Sequence, residues 1–87
     1  RPLMDPRYAE PIDYLYLEPV ETDEPALAVL CDVLQDVLRC SGEGARRYVR
    51  DGEGPLVRAS TVEAINVGQP HARAWLKRDF DAQKEAA

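Results

Sequence analysis

Apolar residues recur at helical spacing throughout residues 23–41, which makes this the most regular segment of the chain. Two adjacent apolar stripes leave only a narrow polar edge. They consist of Leu27, Leu30, Cys31, Leu34 and Leu38 and of Val29, Val33 and Val37. Asp23 can cap the first turn, Pro25 is tolerated there, and Gly42 follows the predicted end. A helix that is apolar over most of its circumference is covered on several sides, so we predict a central helix here.

Three shorter helices are predicted after the central one. The first covers residues 43–50, between glycines that turn the chain. The second begins at Pro55, or at Ser60 where the stretch STVE forms a capping box, and it ends at Gly68. The third covers residues 70–84. Its buried stripe consists of Ala72, Trp75, Leu76 and Phe80. The predicted fold class is therefore all-α, a compact bundle of about four helices.

The first 22 residues differ from the rest of the chain in their prolines. Four prolines in this segment forbid a continuous helix and favour extended backbone, namely Pro2, Pro6, Pro11 and Pro19. The stretch IDYLYLE places apolar groups on both faces of an extended segment, which is more aromatic surface than a solvated tail needs. We therefore divide the chain into an extended acidic arm, residues 1–22, and a helical domain, residues 23–87. The arm is expected to lie in a groove of its own domain or of a partner, and its exchange between two copies would form a homodimer.

Composition and charge limit the class of protein. The chain of 87 residues allows one domain, and its 45% hydrophobic and 31% charged residues are typical of a globular protein. No apolar run approaches the roughly 18 residues of a membrane span, so no membrane partner is expected. The net charge of −5 is uneven. Residues 1–38 hold two Arg against nine Asp and Glu, whereas residues 39–87 hold nine Lys and Arg against seven acids. Such a polarised chain can attract charged partners.

The residues that carry chemistry do not form a catalytic or metal-binding motif. Cys31 and Cys40 lie nine positions apart in one predicted helix, too far apart to bridge, so we interpret them as apolar side chains in the cytoplasm or another reducing compartment. A single histidine and the absence of a Cys-x-x-Cys pair argue against zinc. A Cys40–His71 nucleophile pair lacks an orienting third group. The sequence therefore predicts a protein without enzymatic activity, cofactor or metal.

The stretch SGEGARRYVRDGEGPLVRA, residues 41–59, resembles the junction between armadillo repeats. In that family, a short helix with an Arg-rich face meets a glycine turn and then a helix that opens on Pro-Leu-Val. The later stretch HARAWLKRDF, residues 71–80, is similar to the third helix of such a repeat. The resemblance covers about residues 26–83. It implies protein binding, through an extended peptide or a partner helix, and no catalytic activity.

A second stretch, STVEAINVGQPHARAWLKR at residues 60–78, resembles a helix-turn-helix, with Ala64 and Gly68 at the spacing of that family. The resemblance implies a small DNA-binding transcriptional regulator as an alternative function. Its second helix would present five residues to DNA, namely Gln69, His71, Arg73, Lys77 and Arg78. The negative net charge opposes this alternative, because attraction to phosphates supplies most non-specific affinity for DNA.

The hypothesis that the sequence favours is a non-enzymatic regulatory or adaptor module that binds another protein. The partner would contact the helical surface, the arm, or both. The predicted contact residues are Tyr14, Tyr16, Leu17, Arg46, Arg47 and Arg50. Because Arg46 and Arg50 lie one turn apart on the same side of a helix, they fit an acidic segment of the partner or of the arm itself.

Overall fold

The structure, a computed structural model, describes residues 12–20 and 23–86. The elements in chain order are β1 (Ile12–Pro19), α1 (Glu24–Leu38), α2 (Gly42–Asp51), β2 (Glu53–Arg58), α3 (Ala59–Gly68), β3 (Ala72–Leu76) and α4 (Lys77–Ala86). The three strands form one antiparallel sheet in the order β2-β1-β3. The described chain is therefore an α+β domain.

The prediction of an all-α bundle is wrong, because two segments predicted as helical are strands: residues 55–58 lie in β2, and residues 72–76 form β3. In β3 the side chains alternate, with Ala72, Ala74 and Leu76 buried on one face and Arg73 and Trp75 on the other. A segment of five residues fits both the helical and the strand period, so its periodicity does not decide between them. Pairing with β1 decides in favour of the strand. The helix predicted over residues 70–84 is thus a strand followed by the shorter α4.

The helices predicted over residues 23–41 and 43–50 are confirmed as α1 and α2. The Asp23 carboxylate caps α1 by accepting a hydrogen bond from the Ala26 N–H at 2.9 Å. The predicted stop at Gly42 is wrong, since α1 ends three residues earlier, where Arg39 takes the left-handed conformation with φ of 56°. The glycine that does adopt positive φ is Gly52, which ends α2 and turns the chain into β2.

The stretch IDYLYLE forms the central strand of the sheet. It is extended, as the prolines predict, and it pairs on both sides, with β2 and with β3. Leu15 and Leu17 face the helices and are almost fully buried, whereas Tyr14 and Tyr16 lie on the opposite, outer face of the sheet. Residues 1–11, 21 and 22 of the predicted arm lie outside the described residues.

The hydrophobic core lies between the inner face of the sheet and α1, α2 and α3. It consists of Leu15, Leu17, Leu30, Cys31, Leu34, Ala45, Val57, Ile65, Ala72, Ala74 and Leu76. Burial of each large aliphatic side chain contributes about 1.5–3 kcal/mol, so the leucines of α1 and β1 dominate stability. In the leucine stripe of α1, Leu30, Cys31 and Leu34 are buried, whereas Leu27 and Leu38 are half-buried. In the valine stripe Val29 is exposed, so α1 is not surrounded as its sequence predicted.

The outer edge of β3 is closed by two side-chain amides. Asn66 in α3 accepts a hydrogen bond from the Ala74 N–H at 2.7 Å and donates one to the Ala74 carbonyl at 3.0 Å. Gln69 is buried and donates to the Ala72 carbonyl at 2.6 Å. These amides replace the neighbouring strand that an unprotected edge would recruit.

We therefore expect Asn66→Ala to lower the free energy of unfolding by about 1–3 kcal/mol, because two backbone groups of Ala74 lose their partner beside the core. Urea denaturation followed by circular dichroism measures this change. Glu63→Ala on the exposed face of α3 is the matched control, with an expected change below about 0.5 kcal/mol. Equal losses in the two variants would contradict the role given to Asn66.

Candidate protein-binding site

The second helix presents a row of arginines outward because a small residue anchors its inner side. Ala45 is fully buried against the core, and Tyr48 and Val49 are partly buried beside it. The helical period then turns Arg46, Arg47 and Arg50 to the exposed side. The three arginines predicted as contact residues therefore share one exposed helix surface.

An apolar groove runs between α1 and α2, next to these arginines. Its lining consists of Leu27, Cys31, Arg46, Val49 and Arg50, and its volume is about 270 Å³. Arg47 does not line it. We call this feature the α1–α2 groove. The sequence assigned Leu27 and Cys31 to a buried stripe, and only the packing of α2 on α1 shows that they border an open groove.

The Cys31 thiol keeps the groove apolar. Cys31 is buried, and this burial raises the pKa of its thiol; the positive charge of Arg46 opposes the rise without cancelling it. At neutral pH the side chain is therefore the uncharged thiol, which packs as a small apolar group. Cys31 and Cys40 are both free thiols, so the prediction that they do not bridge each other is confirmed.

The positive charge at the rim of the groove has little internal compensation. In the described part of the chain, Arg46 and Arg47 form no salt bridge. Arg50 pairs with its neighbour Asp51 at 3.3 Å, but its side chain is 72% exposed, so water screens this pair strongly. The rim can therefore attract an external carboxylate.

The tyrosines predicted as contact residues lie elsewhere, on the outer face of the sheet. Tyr14 is 55% exposed there, whereas Tyr16 stacks on Phe80 with ring centroids 4.1 Å apart. Leu17 is only 2% exposed and belongs to the core, so it does not reach the surface in this structure. The six residues grouped by the sequence are thus split between α2, the outer face and the core.

The aromatic cluster on the outer face holds α4 against the sheet. Phe80 contacts both Tyr16 and Trp75, and the Lys77 ammonium lies 5.0 Å above the Tyr16 ring. The Lys77 ammonium also pairs with Glu53 at 3.2 Å. Its hydrogen bond to Glu53, and to a smaller extent that to Asp81, raises the pKa of Lys77. Lys77 therefore has a structural role between β2 and α4.

The residues predicted to contact DNA do not lie on one helix. Gln69 is buried, and its side-chain oxygen accepts a hydrogen bond from the backbone N–H of His71, which is itself half-buried. Arg73 points outward from β3, while Lys77 and Arg78 begin α4. The second helix that the helix-turn-helix resemblance requires is replaced by a turn, a strand and the start of another helix. The DNA-binding function itself stays a prediction.

No group of three His, Cys, Asp or Glu side chains in residues 12–20 and 23–86 is arranged to hold a metal ion. In the same residues, no helix combines the length and the apolar character that crossing a membrane requires.

Comparison with protein-family models finds no match to this chain, and comparisons with curated proteins and with solved structures find none either. The resemblances to armadillo repeats and to helix-turn-helix domains stay predictions.

A carboxylate in β1 fixes the start of α4. Asp13 accepts hydrogen bonds from the backbone N–H of Arg78 at 2.7 Å and of Tyr14 at 2.8 Å. Both hydrogen bonds lower the pKa of Asp13 below its ordinary 3.8, and the bond from Arg78 has the larger effect. The carboxylate thus caps a helix 65 positions away in the sequence.

Because the pKa of Asp13 is lower in the folded state, its contribution to stability is complete above pH 3.8 and is lost as the pH falls through the folded value. We expect Asp13→Ala to speed amide hydrogen exchange in α4 at neutral pH, since the helix loses its cap, and to have less effect at pH 3. Hydrogen exchange read by NMR measures this. Asp36→Ala, at an exposed position of α1, is the control. Unchanged exchange in α4 would refute the capping role.

Proposed function

We propose that this protein is a non-enzymatic binding module that recognises an acidic segment of another protein in the α1–α2 groove. The observation that carries the proposal is the combination of an apolar floor with an arginine rim. Leu27, Cys31 and Val49 supply the floor, and Arg46 and Arg50 supply the charge. Regulatory and adaptor roles agree with a site that binds without performing chemistry.

The size of the groove favours a side-chain anchor over a small-molecule ligand. Pockets for cofactors and drug-sized ligands usually measure about 300–1,000 Å³ and enclose most of the ligand. The α1–α2 groove, at about 270 Å³, is smaller and open. It fits one large apolar side chain of a partner, and neighbouring carboxylates of the same segment then reach the two arginines.

Charge supports an acidic occupant. The guanidinium groups of Arg46 and Arg50 are permanently charged and can bind carboxylates through two parallel hydrogen bonds. One helical turn separates them, so carboxylates spaced one turn apart on a partner helix, or two positions apart on an extended segment, can reach both. The chain as a whole carries −5, so attraction depends on this local patch and not on net charge.

The proposal places the protein in a reducing compartment, and a second copy of the chain and nucleic acid stay predicted partners. Free thiols at Cys31 and Cys40 agree with the cytoplasm or another reducing compartment. Exchange of the predicted arm, residues 1–22, between two copies stays a proposed route to a homodimer. Nucleic acid stays the less favoured partner, because the five residues assigned to it are dispersed.

A peptide titration tests the proposed function. The probe is a fluorescein-labelled peptide that contains one leucine flanked by glutamates, compared by anisotropy with a copy in which glutamines replace the glutamates. We expect tighter binding of the acidic peptide. We also expect the double change Arg46→Glu and Arg50→Glu to weaken binding about tenfold or more, since two attractive contacts become repulsive.

Arg47→Glu is the matched control, because Arg47 carries the same charge on the same helix but does not line the groove. It is expected to change affinity by less than about threefold. Equal binding of the acidic and neutral peptides would refute the proposal, as would an equal effect of Arg47→Glu. Salt-dependent binding of duplex DNA that is lost on changing Arg73, Lys77 and Arg78 to alanine would favour the DNA-binding alternative instead.

A further inference from the structure

The sheet has one edge that the described structure leaves open. The amides of Asn66 and Gln69 close the β3 edge, whereas β2 has a strand neighbour on its β1 side only. A second groove, about 300 Å³ in volume, follows this edge. It is bordered by Val37 and Leu38 of α1, by Thr61 of α3 and by residues 55–58 of β2.

The pairing pattern shows where the backbone of this edge points. In β3 the N–H and C=O of Ala74 point away from β1, because Asn66 binds both. Its partner Leu17 points the other way, towards β2, and its N–H reaches the Gly52 carbonyl at 2.7 Å. Alternation then directs the backbone groups of Tyr14 towards β3, so those of its β2 partner Leu56 point to the open side.

An apolar patch on the outer face of the sheet continues to the same edge. Ile12, Tyr14 and Leu56 are each more than half exposed, and Leu56 lies directly opposite Tyr14. Exposed apolar side chains that adjoin one another and an open strand edge mark an interaction site better than isolated ones.

We propose that β2 pairs antiparallel with β2 of a second copy of this chain, giving a two-fold symmetric dimer with a continuous six-stranded sheet. In such a pairing Leu56 lies near the two-fold axis, and the two outer-face patches join across it. A two-fold axis places the same surface on both sides of the interface, so the patch covers its own counterpart. The proposal uses a different surface from the α1–α2 groove and does not depend on it.

The charges at the two ends of β2 favour the second copy over another extended segment. Glu53 begins the strand and Arg58 ends it. Glu53 pairs with Tyr16 and Arg58 pairs with Ile12, so both lie on the outer face of the sheet. They share this face because a bulge adds one residue to β2 between Glu53 and Leu56. Antiparallel pairing of two copies brings Glu53 of each, which also pairs with Lys77 of its own chain at 3.2 Å, near Arg58 of the other, on the same face of the joined sheet. The strand is thus complementary in charge to itself.

The interface is small, which sets the expected affinity. A six-residue strand and three apolar side chains per copy bury less than the roughly 1,600 Å² of a standard stable interface. We therefore expect a weak dimer that forms at micromolar or higher concentration.

Sedimentation velocity over a range from low micromolar to nearly millimolar protein tests the dimer. Glu53→Arg gives the strand two basic ends, and Arg58→Glu gives it two acidic ends. Each variant alone is expected to dimerise about tenfold more weakly or worse than the wild type, since both end contacts become repulsive. An equimolar mixture of the two variants restores both contacts, so its association is expected within about threefold of the wild type.

A second comparison tests the apolar patch. Leu56→Lys is expected to weaken the dimer, whereas Val67→Lys, at a position 83% exposed on α3, is expected to leave it unchanged. Circular dichroism establishes that each variant is folded. The proposal is overturned by a wild type that stays monomeric throughout, by variants whose mixture fails to associate, or by equal effects of the two lysine substitutions.

Discussion

Strand β1 is the element on which the rest of the structure depends. It lies between β2 and β3, which have no contact with each other in the sheet, so every strand pairing in the described chain includes it. Leu15 and Leu17 also pack from the inner face of the sheet into the core shared with the helices, and Asp13 caps α4. Removal of β1 would therefore leave β2 and β3 unpaired and α4 without its cap. Its neighbours in the sheet come from residues about 40 and 60 positions away, so the fold forms through contacts that are distant in sequence.

This dependence on distant contacts explains which parts of the fold the sequence predicts. Helix α1 is long, strongly periodic and capped by Asp23, so local pattern suffices to identify it. The extended character of IDYLYLE is likewise local, because prolines border it. The segment ARAWL is different, because its alanines permit either a helix or a strand. Pairing with β1 selects the strand. Without knowledge that IDYLYLE needs two partners, the two short segments that provide them look like pieces of helices.

The candidate site shows the same division. Helical spacing places Arg46 and Arg50 on one side of α2, and this part of the site follows from the sequence. The groove beside them needs the packing of α2 on α1, which no pattern within either helix contains. The misassigned Leu17 and Gln69 have a common cause. Each is buried by the sheet: strand alternation turns Leu17 inward together with Leu15, and the hydrogen bond to the Ala72 carbonyl at the β3 edge holds Gln69 inside.

The glycines around the arginine-rich helix connect the two proposed surfaces. Gly52 reverses the chain at the end of α2, and its carbonyl accepts the Leu17 N–H. A Cβ on Gly54 would lie 3.2 Å from Leu15 and 3.4 Å from the Tyr48 ring, so a larger residue there would require these side chains to shift by a few tenths of an ångström. This tight turn fixes the α1–α2 groove relative to the β2 edge. A dimer formed through β2 would therefore hold two grooves at a fixed separation, and a partner with two acidic segments could bind both with an affinity above that of either alone. Weak self-association and a modest groove would then suffice for a selective interaction, because selectivity would come from the spacing of the two segments.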